Sequence, residues 1–193
     1  MARRVQDSPW QALFRLAVKQ EGLFSARQAS SAGCSQQLLA KYVASGRVER
    51  VQRALYRIAD FPAGEHEGLV AVWLWSRNEG VFSHETALFL HDLSDAFPVR
   101  AHITLPTTWK TRAIHLPEDA ATYYSDIPDS DRVWVGPVPV TSVRRTLSDC
   151  LHSSVAPELV AQASVQAAER GLITPDEVLA APAVGLWRLR LHS

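Results

Sequence analysis

The stretch Gly22-Leu-Phe-Ser-Ala-Arg-Gln-Ala-Ser-Ser-Ala-Gly33, continued by Ser35-Gln-Gln-Leu-Leu-Ala-Lys-Tyr-Val-Ala-Ser-Gly46 and Arg47-Val-Glu-Arg-Val-Gln-Arg-Ala-Leu-Tyr-Arg-Ile58, decides how the first third of the chain folds. Ser25 and Gln28 form a capping box: the hydroxyl takes an early helix amide while the glutamine reaches back. Gly33 suits a left-handed C-terminal cap. Ser35 opens the next helix. There Leu38, Leu39, Tyr42 and Val43 make one apolar stripe, and Gln36, Gln37, Ala40, Lys41 and Ala44 fall on the opposite face. Gly46 ends it. Residues 47–58 read as two short strands around the turn Gln52-Arg53-Ala54. Val48 and Val51 are three apart, which breaks strand alternation and asks for a bulge or an early turn.

Outward from this stretch, residues 10–20 carry Leu13, Leu16 and Ala17 at helical spacing, and Glu21-Gly22 stops that helix. Three helices and a basic two-stranded hairpin make a winged helix-turn-helix, expected over residues 1–59. The loop Phe61-Pro-Ala-Gly64 marks a boundary. Residues 60–193 read as a second domain of helices packed on a small β-sheet, so the fold class is α+β. Helix 67–77 is apolar on nearly all sides and expected to be buried. Val81-Phe82 is a short strand, and Ser83 is expected to cap a helix to about residue 90 or 93. Strands follow at 100–105, 113–116, 121–124 and 132–140; Pro139 places the last piece at an edge or strand end. Thr141 or Ser142 caps a helix bearing Val143, Leu147, Cys150 and Leu151. Another helix runs from Pro157 to Gly171. Thr174-Pro-Asp-Glu177 is a further capping box, and the tail 187–191 fits either strand or helix.

Nearly half of the 193 residues are hydrophobic, enough for a folded core. The formal net charge is zero, but residues 1–59 carry +7 and the remainder −7. Such a split suggests that one half meets a polyanion. Two distant cysteines, Cys34 and Cys150, fit free thiols in a reducing compartment. The N-terminus lacks an apolar signal region, and the apolar run 69–75 is too short to span a bilayer, so a cytoplasmic protein with no membrane partner is expected.

A winged helix with this charge is expected to bind DNA. The third helix would offer Gln36 and Gln37 to base edges and Lys41 to a phosphate or guanine. Ser35 opens that helix. Arg47, Arg50, Arg53 and Arg57 would track the backbone or enter the minor groove from the wing. Ser25 and Arg27 would lie where the second helix crosses the backbone, with amide protons favouring a phosphate.

The sequence resembles the AbiEi-type antitoxins of type IV toxin–antitoxin systems. Residues 22–33 and 46–57 look like that family's N-terminal winged helix. Val81-Phe-Ser-His-Glu-Thr-Ala-Leu88, His102-Ile-Thr-Leu-Pro106, Val140-Thr-Ser-Val-Arg-Arg-Thr-Leu-Ser-Asp149 and Glu169-Arg-Gly-Leu172 resemble motifs of its second half. Ala54 departs from the pattern, which has glycine in the wing turn; alanine tolerates positive φ poorly there. The resemblance implies a repressor that binds inverted repeats in double-stranded promoter DNA of its own operon. It also implies that the second domain counters a nucleotidyltransferase toxin without a tight permanent complex, and a role in phage defence.

No catalytic constellation emerges. His84 and His91 lie two helical turns, about 10 Å, apart, too far to share a metal. No cofactor motif, P-loop or nucleophile elbow appears. Thr141, Ser142, Arg145 and Asp149 are a possible polar site of the second domain; the alternative is a capped helix whose i, i+4 ion pair links helix to sheet. The protein is therefore expected not to be an enzyme. Two other readings stay open: a ligand-responsive regulator with no toxin partner, and a nucleic-acid-modifying enzyme with its site in residues 80–150.

Overall fold

A computed structural model describes residues 7–112 and 115–174. The expected strand 113–116, capping box 174–177 and tail 187–191 fall wholly or partly outside them. The chain divides into two compact units, one running to Asn78 and including Gly136–Val138, the other comprising Glu79–Val135 and the chain from Pro139. The boundary expected after residue 59 thus falls inside the first unit.

The first unit is built from α1 (Pro9–Val18), β1 (Leu23–Ser25), α2 (Ala26–Ser31), α3 (Gln36–Ala44), β2 (Val48–Gln52), β3 (Leu55–Ile58) and α4 (Glu67–Trp75). This is the winged helix-turn-helix expected, with α4 added. Ser8 and Gln11 cap α1 reciprocally with Pro9 in its first turn, a capping box written in the local sequence. The capping box of Ser25 and Gln28 forms as read, and Gly33 (φ 85°) and Gly46 (φ 70°) are left-handed. β1 was not foreseen. It pairs antiparallel with β3, giving a sheet of order β1-β3-β2. The register of β2 against β3 shifts between Arg50 and Gln52, the bulge that Val48 and Val51 required.

Leu13, Ala17, Phe24, Ala29, Cys34, Leu39, Val48 and Ile58 form the core of this unit. Glu21 (φ 53°) and Gly22 (φ 82°) turn the chain from α1 into β1. A Cβ on Gly22 would lie 2.6 Å from the Phe61 ring, so glycine is needed there for space as well as conformation. The Glu21 carboxylate accepts the His66 N–H at 3.0 Å. This bond anchors the loop that leads into α4, which packs on β1 and β3.

The second unit holds β4 (Val81–Phe82), α5 (His84–Leu90), β5 (Ala101–Leu105), β6 (Ala120–Tyr124), β7 (Arg132–Val135), β8 (Val138–Thr141) from Pro139 on, α6 (Val143–Leu151) and α7 (Pro157–Glu169). The sheet order is β6-β5-β4-β8-β7, with β4 antiparallel to β5 and parallel to β8. Two expectations are corrected. The single strand 132–140 is two strands about Gly136 (φ 54°), and of the two places expected for Pro139 it takes the strand end, next to the first residue of β8, which lies between β4 and β7 and not at an edge. Proline is tolerated because β8 is short and its pairing with β4 is confined to Phe82 and Val140. Ser83 precedes α5 but makes no cap bond. Its fully buried hydroxyl instead meets Thr104 Oγ1 at 2.8 Å and His84 Nδ1 at 2.9 Å. Leu88, Leu93, Leu147, Cys150, Val160 and Ala163 are among the residues that pack α5, α6 and α7 together. Burial there pushes the Cys150 thiol up to about 12, so it behaves as an apolar group.

Candidate nucleic-acid interface

α3 is held by its apolar stripe and its cap. Leu39 is buried, Leu38, Tyr42 and Val43 are half-buried, and Ser35 Oγ accepts the Leu38 N–H at 3.2 Å. The opposite face, Gln36, Gln37, Ala40, Lys41 and Ala44, is exposed along its whole length. It combines two amides, one cation and two small residues, so another surface can approach the helix closely. Recognition helices that enter a major groove present faces of this kind.

The wing is an exposed strand with a basic tip. In β2 only Val48 is buried; Glu49, Arg50, Val51 and Gln52 face solvent. Arg53 stands exposed in the turn, and Ala54 beside it adopts φ 61°. The glycine-like conformation is therefore kept without glycine. The Ala54 carbonyl accepts the Ala26 N–H at 2.9 Å, which ties the tip to the start of α2. Arg27 follows, also exposed.

Several expected contacts are used within the fold. Ser25 Oγ accepts the Gln28 N–H at 3.2 Å, and the Ala26 N–H is taken by Ala54. Two of the first three amides of α2 are thus occupied, so its N-terminus is a weaker phosphate site than expected. Arg57 lies on β3, where its guanidinium donates to Glu67 at 2.9 Å and to the Phe61 carbonyl at 3.0 Å. Its work is to fasten β3 to α4, and Glu67, ten residues on, gave no local sign of the pair. Arg47 stays exposed but lies 4.5 Å from the Trp10 ring centroid, a cation–π contact that fixes its direction. Ser35 serves as the cap. Apart from Arg47, which lies on Trp10, the cations left exposed without an ion partner on α2, α3 and the wing are Arg27, Lys41, Arg50 and Arg53, among the described residues.

In the second unit the four polar residues are brought together as internal fastenings. Arg145 donates to Asp149 at 2.8 Å and to Ser125 at 3.0 Å, and pairs with Asp131 at 3.5 Å. This is the helix-to-sheet link, reaching partners that the sequence did not reveal. Ser142 Oγ accepts the Arg145 N–H. Thr141 is buried; its carbonyl accepts from His91 Nε2 at 2.7 Å and from the Thr146 hydroxyl at 3.1 Å. Burial raises the Asp149 carboxyl against the opposing pull of Arg145. Sequence reasoning also missed the stack of His84 on Tyr123, 3.6 Å between centroids. Burial, aided by His102 and Arg145, lowers His84 to about 4. No group of three or more metal-ligating side chains occurs among the described residues, and no helix among them is long and apolar enough to cross a membrane.

A capped helix with an open polar face, beside a basic wing, makes up a winged helix-turn-helix. Residues 11–59 match the family model described as "Transcriptional regulator, AbiEi antitoxin", the family that the sequence motifs resemble. The match ends at the close of the wing. Among solved structures, the crystal structure of RV2827C protein from Mycobacterium tuberculosis is similar over 94% of this chain and 83% of that chain, at 12% identity and a TM-score of 0.41. No curated protein matches the chain.

Proposed function

We propose that the protein is a DNA-binding antitoxin that represses its own operon. The open α3 face, Gln36, Gln37, Ala40, Lys41 and Ala44, carries this reading, because nothing in its own unit needs these side chains exposed together. Chains would occupy inverted repeats in double-stranded promoter DNA, with α3 in the major groove and Arg50 and Arg53 on the backbone. The second unit would counteract a nucleotidyltransferase toxin in the type IV manner. The protein would act in the cytoplasm, without a cofactor and without catalysing a reaction. Support comes from the family match over residues 11–59 and from the charge split.

Fluorescence anisotropy with the duplex upstream of the gene tests the DNA half. Four free cations per chain predict about a 100-fold loss of affinity between 50 and 200 mM salt. Lys41→Ala and Arg53→Ala should each lower the log–log salt slope by about 1, whereas Gln37→Ala should cost roughly 1–3 kcal/mol on the preferred sequence alone. Binding that ignores salt would sink the proposal. For the antitoxin half, a nucleotidyltransferase toxin encoded beside the gene would arrest growth when expressed alone, and co-expression of the full chain should restore it.

A further inference from the structure

The first unit holds a cavity of about 590 Å³ that begins at the α2 start and wing turn described above and extends to α4. Leu55, Ala71, Leu74 and Trp75 give it an apolar lining. Around it stand Arg27 from α2, Arg53 from the wing turn and Arg77 from the end of α4. All three are exposed, and their guanidiniums have no hydrogen-bond or ion-pair partner among the described residues. No aspartate or glutamate lines the cavity. Asn78, also in the lining, has a buried Nδ2 with no hydrogen-bond partner. Arg77 (φ 56°) and Asn78 (φ 66°) are consecutive non-glycine residues in the left-handed region, a conformation kept only where the surroundings impose it.

We propose that this cavity binds a free nucleotide. The volume lies within the range of small-molecule sites. Three guanidiniums with no opposing carboxylate exceed what one carboxylate ligand needs and suit a phosphate chain. The lining beside Trp75 offers an apolar seat for a base. Arg27 and Arg53 belong both to this cavity and to the proposed DNA contacts, so nucleotide and promoter compete for them. That competition rests on the DNA-binding reading; the nucleotide site does not.

Isothermal titration of the full chain with ATP, in the absence of DNA, should show saturable binding, with adenosine and inorganic triphosphate each at least about tenfold weaker. Arg77→Ala lies outside the proposed DNA contacts. It should weaken ATP at least about tenfold while promoter affinity stays within about twofold. Ala71→Phe, which fills the cavity, should abolish ATP binding, and thermal melts of both variants check that they fold. ATP should also weaken promoter binding by the wild-type chain. ATP binding that is lost in both variants upholds the site even if no promoter binding is found; in that case the DNA reading fails alone. The proposal is overturned if millimolar ATP gives no saturable heat, or if ATP binds both variants as it binds the wild type. It is equally overturned if Arg77→Ala weakens promoter binding and leaves ATP unchanged, since the cavity would then be part of the DNA interface.

Discussion

Arg27 and Arg53 in the first unit stand exposed without partners, whereas Arg145 in the second is held by Asp149, Ser125 and Asp131 at 2.8, 3.0 and 3.5 Å. The same side chain has two explanations. An arginine whose fork is filled by the protein's own oxygens is accounted for by the fold. One left open near the +7 carried by residues 1–59 adds self-repulsion and gains little for stability, and the proposed DNA binding would give it an anion from outside. Arg57 shows that the first unit builds internal pairs where the fold needs one, here to Glu67. Histidine extends the contrast: His84, His91 and His102 of the second unit are all lowered by burial. The second unit keeps its polar groups for itself, and the first presents them.

The largest effect should come from His84. Its folded value is about 4, against 6.5 for the free side chain. As pH falls below 6.5 the unfolded state takes up the proton first. Stability is therefore complete above that value and is lost progressively towards pH 4, by up to about 3 kcal/mol. The shifts of His91 and His102 act in the same direction. Urea melts of the second unit between pH 7.5 and 5 measure this. His84→Asn, neutral throughout and tolerant of the φ of 51° at this position, should flatten most of the dependence. An unchanged pH slope in the variant would break the contrast in histidine burial.

Arg145→Ala should cost about 2 kcal/mol. Removing one member of a well-buried ionic group costs more, but Arg145 retains 21% of its side-chain exposure, and solvent screens the remainder. Promoter affinity should stay as it was. Lys41→Ala should do the reverse, leaving urea midpoints within about 0.5 kcal/mol while weakening DNA binding. A crossed result, with Arg145 needed for DNA and Lys41 for stability, would overturn the distinction between filled and open cations.

What the sequence disclosed follows the range of the interactions involved. Capping boxes, left-handed glycines, the α3 stripe and the wing bulge depend on residues within four positions of one another, and all of them were legible. β1 has three residues, too few for a period, and forms because β3 offers it an edge. α4 read correctly as a buried helix, but its attachment to β1 and β3 depends on contacts across the Phe61 loop. The open face of α3 was visible because helical geometry alone assigns it. The Arg145–Asp149 pair was legible at i, i+4, but Glu67 for Arg57, Asp131 and Ser125 for Arg145, and Tyr123 for His84 were hidden, because they lie 10, 14, 20 and 39 residues away.

Ala54 offers the most local test, with the smallest expected gain in its glycine variant, and it concerns the presenting unit. Its φ of 61° is held from both sides, by the hairpin and by the bond from Ala26 N–H to its carbonyl. An L-residue there loses about 1 kcal/mol or more, because Cβ crowds the following carbonyl. Glycine removes that cost but enlarges the freedom of the unfolded chain, which returns part of the gain. Ala54→Gly should therefore stabilise the protein by about 0.5 kcal/mol net, and Ala54→Val should destabilise it by about 2 kcal/mol, both read from urea melts. The opposite signs are the discriminating feature, since a wing turn at negative φ would favour valine over glycine in a strand-like setting. Because Arg53 is untouched in both, promoter affinity should follow the rigidity of the tip. A modest loss of affinity in the glycine variant, despite its greater stability, would show that the left-handed alanine holds the arginine in position for the groove.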